Sequence, residues 1–196
     1  MVMAEATNHY FKHLGVSDGL SQVCIPSIYQ DELGAVWLGT TEGLNRYNGK
    51  DVKVFQPSES NHGLTNNEIN ELCGDKNGRM YIRSGNDLIK LDIYTEQFTC
   101  LRQKGVYGLF CKKDTLWVSC ADGIYYYTGQ GTELTFFARV QKGFVGRALY
   151  VDKETVWVVT RKYLVAISRE DPLRQEILLT LDKGNCILGD SSGNIW

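Results

Sequence analysis

The sequence predicts an all-β fold: a partial β-propeller of about four four-stranded antiparallel blades followed by the stub of a fifth. Three observations predict it. First, Asp31-Glu32-Leu33-Gly34-Ala35-Val36-Trp37 returns in spacing as Asp75 to Tyr81 and as Asp190 to Trp196, with shortened copies at Lys113 to Trp117 and Lys153 to Trp157. Second, the aromatic anchors at 37, 81, 117, 157 and 196 are separated by 44, 36, 40 and 39 residues, a period that suits propeller blades. Third, 20 Gly against 3 Pro suits a chain that turns often and leaves its strands intact, and no capped helical pattern is present.

Each unit begins as a tight turn. An Asp at the first turn position accepts hydrogen bonds from its own backbone, and a Gly at the last takes a left-handed conformation at no steric cost. Strands rich in β-branched and aromatic residues follow, at Ala35 to Thr40, Arg79 to Ser84, Leu116 to Cys120 and Val156 to Thr160.

In chain order, residues 1–6 read as an unstructured N-terminus and 7–14 as a latch strand that completes a distant blade and removes a free edge. Blade 1 spans 20–62, with strands Val23 to Gln30, Ala35 to Thr40, Gly43 to Tyr47 and Asp51 to Gln56; Asn48-Gly49 is a strong hairpin signal. Blade 2 spans 63–105, blade 3 spans 106–143, blade 4 spans 144–184, and 185–196 opens a fifth. Asn66 to Leu72 reads as the entry to an inner strand. At about 40 residues per blade, a closed ring needs more chain than this, so the expectation is a segment of something longer or one that pairs its open blade edges with another copy.

Composition narrows the function classes. With 43% hydrophobic and 22% charged residues and a net charge of -2, the chain has an ordinary globular balance and no basic footprint for nucleic acid or an anionic membrane. No apolar run approaches the length of a membrane span, and no signal peptide is read at the N-terminus. The six cysteines, at 24, 73, 100, 111, 120 and 186, lack paired zinc spacing and read as buried free thiols, with disulfides or a metal as the alternatives. No nucleophile elbow, zinc-protease motif or phosphate loop is present. His9 and His13 would lie about 13 Å apart on a strand at roughly 3.3 Å per residue, too far to share a metal. No cofactor and no catalytic residue is expected.

Ser17-Asp18-Gly19-Leu20-Ser21-Gln22, Ile28-Tyr29-Gln30-Asp31, Trp37-Leu38-Gly39-Thr40 and Gly43-Leu44-Asn45-Arg46-Tyr47-Asn48-Gly49 together resemble the two-component regulator propeller repeat. Gly63 to Ile69 continues the resemblance, and Tyr10 to Leu14 is similar to the start of sensors built from it. Later repeats depart from it: Arg83, Ser119 and Val159 stand where the Trp-x-Gly-Thr motif keeps Gly. The resemblance implies the periplasmic sensor region of a Bacteroides-type hybrid histidine kinase, a seven-bladed propeller with a second propeller after it, sensing of glycan oligosaccharides and control of polysaccharide-utilisation genes. Its implied partners are an oligosaccharide, the remaining blades, the second propeller and a second copy in a homodimer.

Repetition is what packing needs, so the aromatic anchors read as core between blades and the Asp turns as structure. A Tyr of Tyr125-Tyr126-Tyr127 is left as a sugar platform. Candidate ligand residues lie where repeats differ, in the loops between second and third strands and between fourth and first strands: Arg83, Asn86, Asp122, Arg161, Lys162 and Tyr163, with Glu42, Asn66 and Arg147 in the same loops. Arg83 is the candidate for sugar hydroxyls or an acidic group, an ordinary ion pair being the plainer reading. A propeller enzyme acting on polysaccharide would need two carboxylates, for which Glu42 and Asp122 are the candidates; a protein-interaction scaffold is the third possibility.

Overall fold

The computed structural model describes residues 12–57, 63–141, 145–182 and 184–196. It contains sixteen strands in four sheets, each a sequential antiparallel meander. Blade 1 is β1 (Ser27–Gln30), β2 (Val36–Thr40), β3 (Gly43–Tyr47) and β4 (Val52–Phe55); blade 2 is β5 (Ile69–Gly74), β6 (Arg79–Ser84), β7 (Asp87–Asp92) and β8 (Gln97–Arg102). Blade 3 is β9 (Val106–Lys112), β10 (Thr115–Cys120), β11 (Gly123–Tyr127) and β12 (Thr135–Ala138); blade 4 is β13 (Gly146–Val151), β14 (Thr155–Thr160), β15 (Tyr163–Ser168) and β16 (Gln175–Thr180). The stub contributes a turn closed by an antiparallel bridge between Gly189 and Ile195.

Two expectations change. The first strand begins at Ser27; Val23 to Pro26 lie outside it, as the missing N–H of Pro26 favours. Most of the latch segment, His9 included, lies outside the described residues, as does His62, and the described Lys12 to Leu14 are not in a strand. A single 3-10 turn at Val16–Asp18, unread in the sequence, ends at Gly19 with φ 104°.

Burial follows strand position. The second strands β2, β6, β10 and β14 are buried on both faces, whereas the outer strands β4, β8, β12 and β16 are largely exposed or half-buried. A blade is sandwiched between its neighbours, so its middle strands show near-continuous apolar text and lose period-2 alternation. The core accordingly forms one cluster per junction. Trp37, Leu44 and Phe55 of blade 1 pack with Ile69, Leu72, Ile82 and Ile89 of blade 2. Tyr81 and Leu88 pack with Val106, Leu116, Val118 and Tyr127, and Trp117 and Ile124 with Leu149, Val156, Val158 and Ile167.

Cysteine burial corrects the expectation. Cys120 is buried, Cys73 and Cys111 are half-buried, and Cys24, Cys100 and Cys186 are exposed. Cys100 sits on an outermost strand, while Cys24 and Cys186 lie in connecting segments outside any strand.

The turn that opens each unit is a carboxylate clamp. Asp31, buried, accepts from the backbone N–H of Leu33 (3.0 Å) and Ala35 (2.9 Å) through Oδ1 and from the Trp37 indole (2.8 Å) through Oδ2. Asp190 repeats it with Ser192, Asn194 and the Trp196 indole, and the Asn194 amide and that indole draw its carboxyl down to about 2. In blade 4 the clamp is Asp152, which accepts from Glu154, Thr155 and the Trp157 indole. Burial raises the Asp152 carboxyl, and these donors outweigh it, leaving it below the usual range. Asp152 stands five residues before its Trp rather than six, one residue ahead of the shortened copy read in the sequence. The corresponding residue of blade 3 is Lys112, which donates to the Val151 carbonyl of blade 4 instead (2.6 Å). Blade 2 keeps Asp75 but pairs it with Arg79.

Replacing Asp31 by Asn leaves an acceptor for the backbone but puts an N–H donor beside the buried indole N–H. The Asp31→Asn variant is expected to lose about 2–3 kcal/mol, read as a lower urea midpoint with an unchanged m-value.

Candidate ligand-binding rim

The loops between second and third strands and the connections that enter each new blade meet on one face, joined by backbone hydrogen bonds. Gly43 N–H donates to Asn67 (2.8 Å), Gly85 to Glu68 (2.7 Å), Val106 to Asn86 (3.0 Å), Ala121 to Gly105 (2.8 Å) and Leu181 to Lys162 (2.6 Å). In blades 1, 2 and 4 the last residue of the second strand tightens this face. Thr40 donates to the Gly43 carbonyl and bonds Ser21 Oγ, Ser84 donates to the Asn66 carbonyl and accepts from its N–H, and Thr160 donates to the Tyr163 carbonyl and accepts from the Tyr163 N–H. The Thr of Trp-x-Gly-Thr thus ties its turn locally, a Ser/Thr role that the sequence reading left unassigned.

The sequence-predicted residues fall into two groups on this rim. Arg83 and Asp122 are already engaged. Arg83 Nε lies 3.3 Å from Glu71 Oε2, directly across the β5–β6 register, and its guanidinium also donates to the Gly85 carbonyl. Burial pushes the Glu71 carboxyl up, and Arg83 pulls it back. Asp122 accepts from Arg102 (2.7 Å) and Tyr125 (2.8 Å), while the Arg102 guanidinium lies 4.7 Å from the Tyr125 ring centre. Burial raises the Asp122 carboxyl, and these two donors outweigh it, leaving it below its ordinary value. Tyr125 is therefore part of this cluster and packs edge-on against Phe136. Asn86 is exposed, its carbonyl spent on Val106.

Arg161 and Lys162 behave differently. With Tyr107, Val145, Arg147 and Thr160 they line a cavity of about 430 Å³ between blades 3 and 4. Among the described residues, the side-chain cations of Arg147, Arg161 and Lys162 have no hydrogen-bond or ion-pair partner. Tyr163 follows in the same turn, half-buried and packed against the blade 3–4 core. Tyr107 was not foreseen, because it opens β9 and reads as strand; only its position beside the rim marks it.

A second cavity of about 430 Å³ lies at the opposite, turn-bearing end of the same junction, lined by residues that include Lys112, Asp114, Trp117, Asp152, Lys153 and Arg169. Two of its four cations are occupied. Lys112 is bound to the Val151 carbonyl, and Arg169 donates to the Asp152 and Lys153 carbonyls and lies 5.6 Å from the Trp117 ring centre. Among the described residues, no three His, Cys, Asp or Glu side chains come together as a metal site, and no helix is long and apolar enough to cross a membrane.

Removing Arg83 leaves Glu71 half-buried without its cation. Burial holds the Glu71 carboxyl above its ordinary pKa in the fold, so its contribution to stability is present at low pH and lost as pH rises; taking away the opposing charge enlarges that loss. Arg83→Met is expected to melt close to the parent at pH 4 and to fall behind by about 1–2 kcal/mol at pH 7.5, as paired thermal melts across that range would show.

Residues 19–42 match the two-component regulator propeller family. A 53-residue stretch, 27% of this chain and 4% of the relative, is 40% identical to histidine kinase P4 of Formosa agariphila. Among solved structures, the extracellular domain of a hybrid two component system from B. thetaiotaomicron superposes with a TM-score of 0.79 at 23% identity, over 94% of this chain and 28% of that one. That of a one component system from the same organism gives 0.77 at 20% identity, over 96% and 30%. The chain thus spans under a third of each of these two structures. It carries the two-component regulator propeller repeat at residues 19–42 and, over nearly all of its length, the propeller fold of two-component extracellular domains.

Proposed function

We propose that this chain is a noncatalytic part of the periplasmic sensor region of a hybrid two-component system, and that the sensor binds a glycan-derived oligosaccharide and signals to a histidine kinase controlling polysaccharide-utilisation genes. The observation that carries the reading is the contrast on the rim. The blades repeat a rigid, mutually buried scaffold, and at one junction that scaffold opens a cavity walled by Tyr107 with unpartnered donors around it. At about 430 Å³ it falls within the usual range for a small-ligand site and suits one or two sugar rings. The repeat match and the sensor-domain folds support the signalling role. The partners on this reading are the oligosaccharide, further blades, a second propeller and a second copy of the sensor; a ligand would act by favouring one arrangement of these over another.

The polysaccharide-enzyme reading is weaker. Both oxygens of the Asp122 carboxylate are taken, Oδ1 by Arg102 and Oδ2 by Tyr125, so neither stands free to attack a sugar or to activate a water.

The test is a thermal-shift screen of the 196-residue chain and of the whole extracellular region against neutral and acidic oligosaccharides, with the sugar recovered and sized afterwards. The expected result is a concentration-dependent rise in Tm of the whole region with one glycan class and no change in the sugar. Cleaved sugar moves the assignment to an enzyme, and no shift with any glycan overturns the oligosaccharide reading.

A further inference from the structure

The rim cavity says something about its ligand's charge, resting on the sensor reading above. Arg147 rises from the start of β13, and Arg161 and Lys162 from the β14–β15 turn, so three cations from two elements converge on one cavity. Among the described residues, neither an Asp nor a Glu lines it. Two other arginines of the rim are spent, Arg102 on Asp122 and Arg83 on Glu71. Like charges gathered without a counter-charge repel one another and cost stability, and an arginine fork matches an oxyanion in a bidentate geometry.

We infer that this cavity takes the anionic substituent of an acidic glycan, a uronate carboxylate or a sulfate ester, with Tyr107 forming the wall against the sugar ring. Arg147 and Arg161 clamp the oxyanion and Lys162 adds a third donor. The test is isothermal titration with tetragalacturonate, its fully methyl-esterified form, a sulfated oligosaccharide, its desulfated form and free sodium sulfate. Tighter binding of a charged sugar than of its neutral counterpart, weakened about tenfold by Arg161→Gln or by Arg147→Gln and weakened by added salt, is the expected result. Equal binding of charged and neutral forms overturns the inference and leaves the sensor reading standing. Binding of sulfate alone as tightly as of any sugar overturns the glycan source while keeping the anion site. Circular dichroism of each variant separates lost binding from lost folding.

An independent observation concerns Cys73 and Cys111, whose Sγ atoms lie 2.7 Å apart across the blade 2–3 junction. They occupy a position that recurs. The residue two before the clamp of one blade packs on the residue one before the clamp of the next. Tyr29 covers Gly74, where a Cβ would come within 2.2 Å of the hydroxyl, and Tyr150 covers Gly189, where it would come within 2.1 Å of the ring. Phe110 packs into the cluster holding Val151. Only at the blade 2–3 junction are both members cysteine.

The geometry points to a Cys73–Cys111 disulfide that staples inner strand to inner strand where the other junctions fit a large ring on a small residue. In its formation a glutathione-type disulfide takes the two electrons and both protons, leaving as two thiols, while the Sγ–Sγ bond forms. Protein equilibrated with oxidised glutathione, alkylated under denaturing conditions and digested, is expected to yield a peptide pair linked through these two residues and to melt higher than the reduced form. Cys73→Ser should melt at one temperature in either redox state. Full alkylation of both thiols after oxidation, or linkage of either to another cysteine, overturns it.

Discussion

No blade of this protein can bury both of its faces by itself. A four-stranded sheet with apolar side chains on both surfaces of its middle strands has no interior, so each blade's core is supplied by the next. Trp37 and Tyr81 reach full burial only because Ile69 and Val106 of following blades close over them. Where this chain holds no complete following blade, the same anchor changes state: Trp157 is half-buried and Trp196 is 75% exposed. Stability here is a property of junctions, and the turns and clamps exist to present each junction face at the right angle and register.

The junctions keep their spacing while changing their chemistry. At blade 1–2 the space comes from Gly39, where a Cβ would meet Ile69 Cγ2 at 2.8 Å and its carbonyl at 3.0 Å. At blade 3–4 the bulk has crossed over: Ser119 takes the Gly39 position and donates to the Gly146 carbonyl at 2.7 Å, and Gly146 on the facing strand provides the gap. Beyond blade 4, Val159 faces Gly184, where a Cβ would come within 2.4 Å. Close-packed interiors conserve summed volume more strictly than the identity of either member. In blades 3 and 4 a motif read along one strand loses its glycine while the junction keeps one, which is why those repeats look worn in sequence and sound in structure.

That displacement also marks where sequence reading succeeds and stops. The strands were legible because each has local causes: Asn48 Oδ1 caps the Asn-Gly hairpin through the N–H groups of Lys50 and Asp51, and the Asp turns announce themselves by spacing. Asp152 was missed because the clamp needs a carboxylate within reach of an indole, a condition met at a spacing of five as well as six. Cys100 was misread as buried because outer strands carry apolar text much as middle strands do, while burial depends on which neighbours close over them, and Cys24 and Cys186 because they lie in connecting segments rather than strands. Arg161 and Lys162 were placed on the right rim, but nothing local distinguishes them from Arg83. The difference is whether a carboxylate stands across the register, as Glu71 does for Arg83.

Such pairing decides what each rim charge can do. A cation facing a carboxylate across a strand is already solvated by protein, and a ligand would have to displace that partner before gaining anything. Arg83 and Arg102 therefore serve the scaffold even though they stand on the candidate rim. Arg147, Arg161 and Lys162 have no such partner among the described residues, so their interaction with an anion is not offset by the loss of an internal pair. They also stand on strand ends and a tight turn fixed by Thr160, so the backbone is already ordered and the rotamers of the three side chains are what binding must still fix. A rigid repeat scaffold leaves function to the positions where repetition fails, and in this chain the failure that leaves charge unanswered lies at the blade 3–4 rim.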